Sequence, residues 1–580
     1  MRDTGRRRPR HDLRPMITSS GDTGQWTARR RRVPAASASL SLIRPDCMRA
    51  LLRPILAGAA AAVCARAVPV TAQAPDLHAE VTVGSEAERY LRVLQVAGET
   101  PLYPWTLRGF SPAEVDGLVP ADSAHPWAGR LARGAADSAR LRPLRSRLDL
   151  VYNSAFPQGG NDGAVWAGRG LTGSASAGVQ FRAGILSVRL EPVVFWAQNR
   201  DFRLVPNGQR DSLRLRNPRN PNNLDLPQRF GDGAFAVVDP GQSTVRLDGL
   251  GVAAGFSTAN QHWGPAADQP LILGSNAAGF PHAFLGTSHP WKVGIGRVHG
   301  RIMWASLAQS EYSAVADGQR GSRRFASGLA MVFLPWGLDG LEVGVERFHH
   351  EAWPAAGAGP HNLLRPLEAV FRNSLRMPDE GGLNQLAAVF ARWVLPRGGV
   401  EIYGEYARED HNFDLPDLIL EPDRSSGYML GGRKVWGSGP RLRSLRAEWV
   451  DTQPSHLDQA SPQAPNLYGH GAIVQGHTYR GQLLGSTAGY GGGGSVVAFD
   501  AYSPRGRWSV DWTRTRLRSP RTVAGEDYGV QVEHSLGAEA VAFRGRMDLV
   551  ARLRGTVAMN RFPDEDVFNF TAALGVRAGL

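Results

Sequence analysis

Residues 258–286 read TANQHWGPAADQPLILGSNAAGFPHAFLG and gather side chains suited to holding a sugar. A pyranose ring offers an apolar face to a flat aromatic, and its neighbouring hydroxyls suit planar groups that both donate and accept. Trp263 and the nearby Trp291 supply the faces, and Asn260, Gln261, His262 and His282 supply the bridging groups. Arg297 adds a guanidinium for a uronate or phosphate, as do Arg323 and Arg324. Each also has a plainer use. Trp263 and Phe284 can form the segment's own core, Asn260 and Gln261 can satisfy its backbone, and the arginines can sit in lumen ion pairs or face lipopolysaccharide phosphates.

The sequence assembles no catalytic arrangement. No G-x-S-x-G occurs, so no serine nucleophile can be nominated. His349-His350-Glu351 is not the H-E-x-x-H of a zinc hydrolase. Glu401, Glu405 and Glu409 repeat along one strand face and suit ion pairs better than glycoside hydrolysis. Gly491–Gly494 lacks the Lys-Ser/Thr of a phosphate loop and reads as a turn. The expectation is a non-enzymatic protein without cofactor or metal.

The charge narrows the partners. The 580 residues carry +13, but residues 1–47 hold eleven Arg against four Asp, and residues 48–74 add three Arg, leaving +3 for the rest. A nearly neutral body gives little support to nucleic-acid binding. From Met48 the chain reads MRALLRPILAGAAAAVCARAVPVTAQA: a basic start, an apolar middle and small residues at Ala72 and Ala74. That is the pattern of a secretory signal peptide over 48–74, with residues 1–47 a non-native or disordered extension. Cys47 and Cys64 both fall before the expected cleavage, so the mature protein is expected to have neither disulfide nor thiolate metal site.

The elements that must position these side chains change character along the chain. Residues 75–143 read as a small helical plug. Ser85 caps a helix ending near Gly98, Ser111-Pro112-Ala113-Glu114 opens a second, and Trp127–Leu141 suggests a third. From Leu144 the period becomes two, as in Leu186–Trp196, Phe325–Phe333, Val400–Ala407, Leu445–Trp449 and Trp508–Thr513. Between Phe568 and Leu580 every even position is apolar. The opposite faces carry charges of both signs, such as Arg189 with Glu191 and Arg446 with Glu448, as in a wet lumen lined by ion pairs. These features predict an all-β transmembrane barrel of about 16–18 antiparallel strands over 144–580. Its long connections would be extracellular, and residues 258–286 would be a folded-in loop.

The residues Leu226-Pro227-Gln228-Arg229-Phe230-Gly231, Gly241-Gln242-Ser243, Asn260-Gln261-His262-Trp263-Gly264-Pro265 and Leu271-Ile272-Leu273 with Asn276-Ala277 resemble the signature of the Wzi family of capsule assembly proteins. Ile402-Tyr403-Gly404-Glu405-Tyr406 and Arg446-Ala447-Glu448-Trp449 are similar to that family's barrel strands. The resemblance covers roughly residues 85–580. It implies an outer-membrane barrel of about 18 strands, stoppered by helices at its periplasmic end and occluded by loops outside. The implied role is a surface lectin that anchors capsular polysaccharide, with outer-membrane lipid and lipopolysaccharide as surroundings and a monomer as the unit. A passive sugar porin is the alternative, and an outer-membrane hydrolase a more distant one.

Overall fold

The computed structural model describes residues 80–115, 117–119, 127, 140–368, 382–409, 415–454, 467–518 and 530–579. The leader and residues 1–47 lie outside them, as does most of the span expected to form a third helix. Antiparallel pairing closes the strands into a barrel. Taken end to end they form eighteen staves, six of them in two or more pieces or shortened. The first four are β1 (Arg140–Pro143 and Ser146–Asn153), β2 (Gly170–Ser176 and Val179–Ala183), β3 (Leu186–Leu190 and Val193–Ala197) and β4 (Phe235–Asp239 and Thr244–Gly249). Next come β5 (Val252–Ser257), β6 (His282–Thr287 and Trp291–Val293), β7 (Gly296–Leu307), β8 (Arg324–Pro335) and β9 (Leu341–Ala352). Then follow β10 (Leu383–Leu395), β11 (Val400–Glu409), β12 (Ser426–Trp436), β13 (Arg443–Asp451) and β14 (Gly493–Ser503). The last are β15 (Gly506–Arg516), β16 (Val532–Arg544), β17 (Met547–Phe562) and β18 (Glu565–Ala578).

Pro192 and Pro240 lie at the breaks in β3 and β4, where a missing amide proton interrupts a ladder. Gly493 and Gly494, read from sequence as part of a turn, open β14 instead and pair with Arg516 and Thr515, respectively. The barrel closes where β18 pairs with β1, from Thr571 opposite Asn153 to Ala578 opposite Ser146.

Alternation sorts the side chains. Along β18, Phe568 is 60% and Leu574 is 64% exposed, and both point outward. Among β11 residues, Glu401, Tyr403 and Glu405 are buried while Ile402 is half exposed. A belt of exposed apolar residues surrounding buried charge is the reverse of a soluble protein and fits a wall set in lipid. Among the described residues no helix is long and apolar enough to cross a membrane, so the strands are the crossing elements.

The interior is not the wet lumen expected from the charged strand faces. It is filled with protein. One core joins Trp263, Leu271–Leu273, Phe280, Phe348, Tyr403, Tyr468 and Leu483 across the middle of the barrel. A second, toward the short turns, joins α1 (Glu86–Ala97) and Trp105, Phe110 and Trp127 to wall residues such as Val394, Val435 and Tyr502. Helix α1 begins and ends where the sequence places it. The Ser85 hydroxyl accepts from the Glu88 amide, and Gly98 terminates it at φ 77°. The second helix, α2 (Pro112–Val115), has the Ser111–Glu114 capping box, with the Ser111 amide donating to Glu114 at 2.9 Å. The third expected helix is corrected at its end. Arg140–Pro143 is strand, paired with Val179–Ala183, so sheet hydrogen bonds claim it and the barrel begins at Arg140 rather than Leu144.

Candidate functional site

The stretch 258–281 enters the barrel from the long-loop end and meets the N-terminal segment inside it. Leu107 and Arg108 pair with Trp263 and His262 in a two-residue ladder, and the Gly264 amide donates to the Thr106 carbonyl at 2.9 Å. Gly264 has φ 78°, and a Cβ there would lie 2.6 Å from Glu405 Oε2 and 2.9 Å from Glu346 Oε1. Only glycine fits that approach.

Ion pairs lock this assembly to the wall. Arg92 of α1 donates from Nε to Glu401 at 2.9 Å and from Nη2 to the Pro265 carbonyl at 2.7 Å, joining helix, loop and stave. Arg392 donates to the same Glu401 at 2.5 Å and also pairs with Glu342. Glu342 accepts from the Trp105 amide at 2.9 Å. Deeper in the loop, Glu448 accepts the amides of Asp268 and Gln269 at 2.8 and 3.1 Å, and Arg446 pairs with Asp268 at 2.9 Å. Burial works against the Asp268 charge, but Arg446, with Arg89 and Arg433, holds the carboxyl below its ordinary range.

The residues nominated for sugar recognition are therefore distributed unequally. Asn260, Gln261, His262, Trp263 and His282 come together, but inside, and all are buried. Asn260 donates to the Ala277 carbonyl at 2.9 Å and accepts from Gln242 at 2.8 Å. Gln261 accepts from Arg301 at 2.6 Å, and His282 donates from Nδ1 to the Phe280 carbonyl at 2.8 Å. Burial, with Arg108 and Arg92 close by, keeps His262 well below the usual imidazole range and so neutral. Trp263 packs edge-on to Phe348, with centroids 6.4 Å apart. Trp291 and Arg297 are elsewhere, beside a short turn. The Trp291 indole donates to the Gly251 carbonyl at 2.7 Å, and the Arg297 guanidinium lies 5.8 Å from the Trp336 ring centre. This is the amphipathic aromatic girdle of a membrane interface.

A different set reaches the long-loop face. The Arg518 guanidinium lies 5.1 Å from the centre of the half-buried Tyr490 ring, and Asn220 donates to the Tyr490 hydroxyl at 2.9 Å. Arg219 anchors the group, donating to the Arg518 carbonyl and to Gln531 Oε1, both at 2.6 Å. Burial, with Arg561 nearby, lowers Arg219 to about 10 despite Glu533, so it stays cationic at neutral pH. Asn217 accepts from the Arg219 and Asn220 amides at 2.8 and 3.1 Å, which fixes the turn presenting them. The set spans three loops, and the first, 198–234, holds seven Arg against four Asp. Residues 201–243 are rich in Pro, Asn and Arg, but no local spacing links Asn220 to Tyr490, 270 residues on.

The model of the capsule assembly protein Wzi family matches residues 166–566. The chain belongs to the Wzi family of capsule assembly proteins. No curated protein matches it. Among solved structures it is similar to Wzi of Escherichia coli, described as an outer-membrane, carbohydrate-binding β-barrel involved in group 1 capsule assembly. The TM-score is 0.58 at 16% identity, covering 87% of this chain and 100% of that one. It also matches Pseudomonas aeruginosa OccK2, with a TM-score of 0.38 at 10% identity over 76% of this chain and 98% of that one, too distant to carry argument. Wzi-family membership and the lipid-facing barrel place the chain in the outer membrane. Short turns of such barrels face the periplasm and long loops the exterior.

Proposed function

We propose that this Wzi-family barrel holds an extracellular polysaccharide at the cell surface without acting on it chemically. The observation that carries the reading is the long-loop face, where Tyr490 is flanked by Arg518, Asn220 and Arg219 above a filled interior. An aromatic face, planar amides and guanidinium groups are what a sugar chain needs for stacking and bidentate contacts. Repetition along a polymer lets many weak contacts add to firm retention. The carbohydrate binding described for E. coli Wzi supports the same reading. Residues 260–263 and 282 then act indirectly, by fixing the inner loop. Residues 48–74 would export the chain, residues 75–143 would stopper its periplasmic end, and a single barrel among lipopolysaccharide would be the working unit.

The test compares capsule retention by cells producing the wild-type chain or Y490A/R518Q, with barrel assembly checked by heat-modifiable migration. The expected result is a several-fold loss of retained polysaccharide with normal assembly. Unchanged retention by an assembled double variant would move the binding surface elsewhere. The porin alternative is favoured by no observation of the interior, where Trp263 is fully buried among wall residues.

A further inference from the structure

The eight short turns of the periplasmic rim divide into two arcs of opposite chemistry. Four consecutive turns, 184–185, 250–251, 294–295 and 336–340, present Ile185, Leu250, Ile295 and Leu338, all exposed. The next four, 396–399, 437–442, 504–505 and 545–546, present Arg397, Arg441, Arg505 and Arg546, also exposed. Arg443 and Arg544 extend the basic arc, and Lys434 lies within it, donating to the Gly398 carbonyl at 2.5 Å. Lys292, Arg297 and Asp339 are the charged exceptions on the apolar side, and Arg297 lies over the Trp336 ring. Among the described residues, Arg397, Arg441, Arg505 and Arg546 meet no carboxylate, whereas most of the buried arginines of the interior do.

A second feature gives these cations a direction. Trp393, Trp436 and Trp508 stand exposed on the outer wall three to five residues from Arg397, Arg441 and Arg505. Indoles settle at the headgroup boundary of a bilayer. The strands rise about 3.3 Å per residue only as far as the turns, and Trp436 stands level with Arg443, so the guanidinium groups lie about 5–10 Å beyond the indoles, at the depth of phospholipid phosphates. Arginine binds phosphate bidentately and stays charged there.

We propose that the basic arc is a binding surface for anionic phospholipids of the periplasmic leaflet, with phosphatidylglycerol-type headgroups as its ligands. The opposite arc, whose turns end in aliphatic side chains, takes its place in the same bilayer with fewer cations facing the headgroups. The barrel is thereby oriented by an arginine clasp on one side. This surface is at the other end of the molecule from the polysaccharide face and does not depend on it.

The test uses the full chain in detergent with added phospholipid, reading retained lipid by native mass spectrometry and the rise in thermal midpoint. Phosphatidylglycerol is compared with phosphatidylethanolamine for wild type, for R397Q/R441Q/R505Q/R546Q, and for R200Q/R203Q/R210Q/R214Q. The last removes equal charge from the long-loop face. Wild type and the loop variant should prefer phosphatidylglycerol, and the rim variant should lose at least about tenfold of that preference. Equal retention of both lipids by wild type, or an unchanged preference in the rim variant, would overturn the proposal. So would competition by inorganic phosphate at lipid-equivalent concentration, which would mark a site for free anions instead.

Discussion

Asn260 shows how one side chain can look like a ligand group and be a structural one. Its amide donates to the Ala277 carbonyl and its oxygen accepts from Gln242, in a buried position. The residue types that bridge sugar hydroxyls also bridge backbone groups, because both tasks need a donor and an acceptor on one plane. Asn260→Ala leaves a buried carbonyl without its donor, which costs about 1–3 kcal/mol. The expected outcome is a lower thermal midpoint in detergent with polysaccharide binding per folded barrel unchanged. Loss of binding at unchanged stability would instead return Asn260 to the recognition surface. Tyr490 should behave in the opposite way. No pattern in the sequence singles it out, since its partners Asn220 and Arg518 come from other loops and only the closed barrel brings them together.

At the scale of elements, local chemistry was legible and three-dimensional coverage was not. Ser85, Gly98 and the Ser111–Glu114 pair mark the ends of α1 and α2 because capping is satisfied within four residues. The alternation in β11 and β18 marks wall strands because lipid and interior lie on opposite faces. Charge on the inner face has two outcomes, hydration or burial against a stopper, and the strand itself does not distinguish them. Here α1 decides the matter. Arg507 pairs with its Glu86 at 2.9 Å, and Arg92 reaches Glu401. Although burial opposes ionisation of Glu86, Arg507, with Arg89 and Arg577, lowers it to about 2. Glu114 of α2 is likewise brought to about 2, against its burial, by the His299 hydrogen bond and Arg246. A depressed carboxyl stabilises the docked state above its unfolded value near 4.5, and that contribution disappears as pH falls toward 2. Hydrogen exchange of the α1 amides, corrected for intrinsic rate, should therefore quicken relative to the wall between about pH 5 and pH 3. E86Q should show a smaller change with pH. An α1 equally protected at both pH values would mean these carboxylates do not hold it.

For the whole molecule, the consequence of eighteen staves is a cylinder wide enough for water, since barrels of 16–18 strands commonly enclose an aqueous channel. This one is closed twice: α1 and its neighbours block the short-turn end, and the inner loop 258–281 crosses the middle. Each stopper includes carboxylates held below their ordinary range, Glu86 and Glu114 at one level and Asp268 at the other. Their titration has the same sign, so acid weakens the two closures together while the backbone ladders between staves, which carry no titrating group, persist. In a planar bilayer at neutral pH the chain should give no large conductance steps. As the pH falls from about 5 toward 3, steps should begin to appear and should reverse on neutralisation. Steady large steps at neutral pH would show that the interior core does not seal the barrel, and the porin reading would then replace the tether.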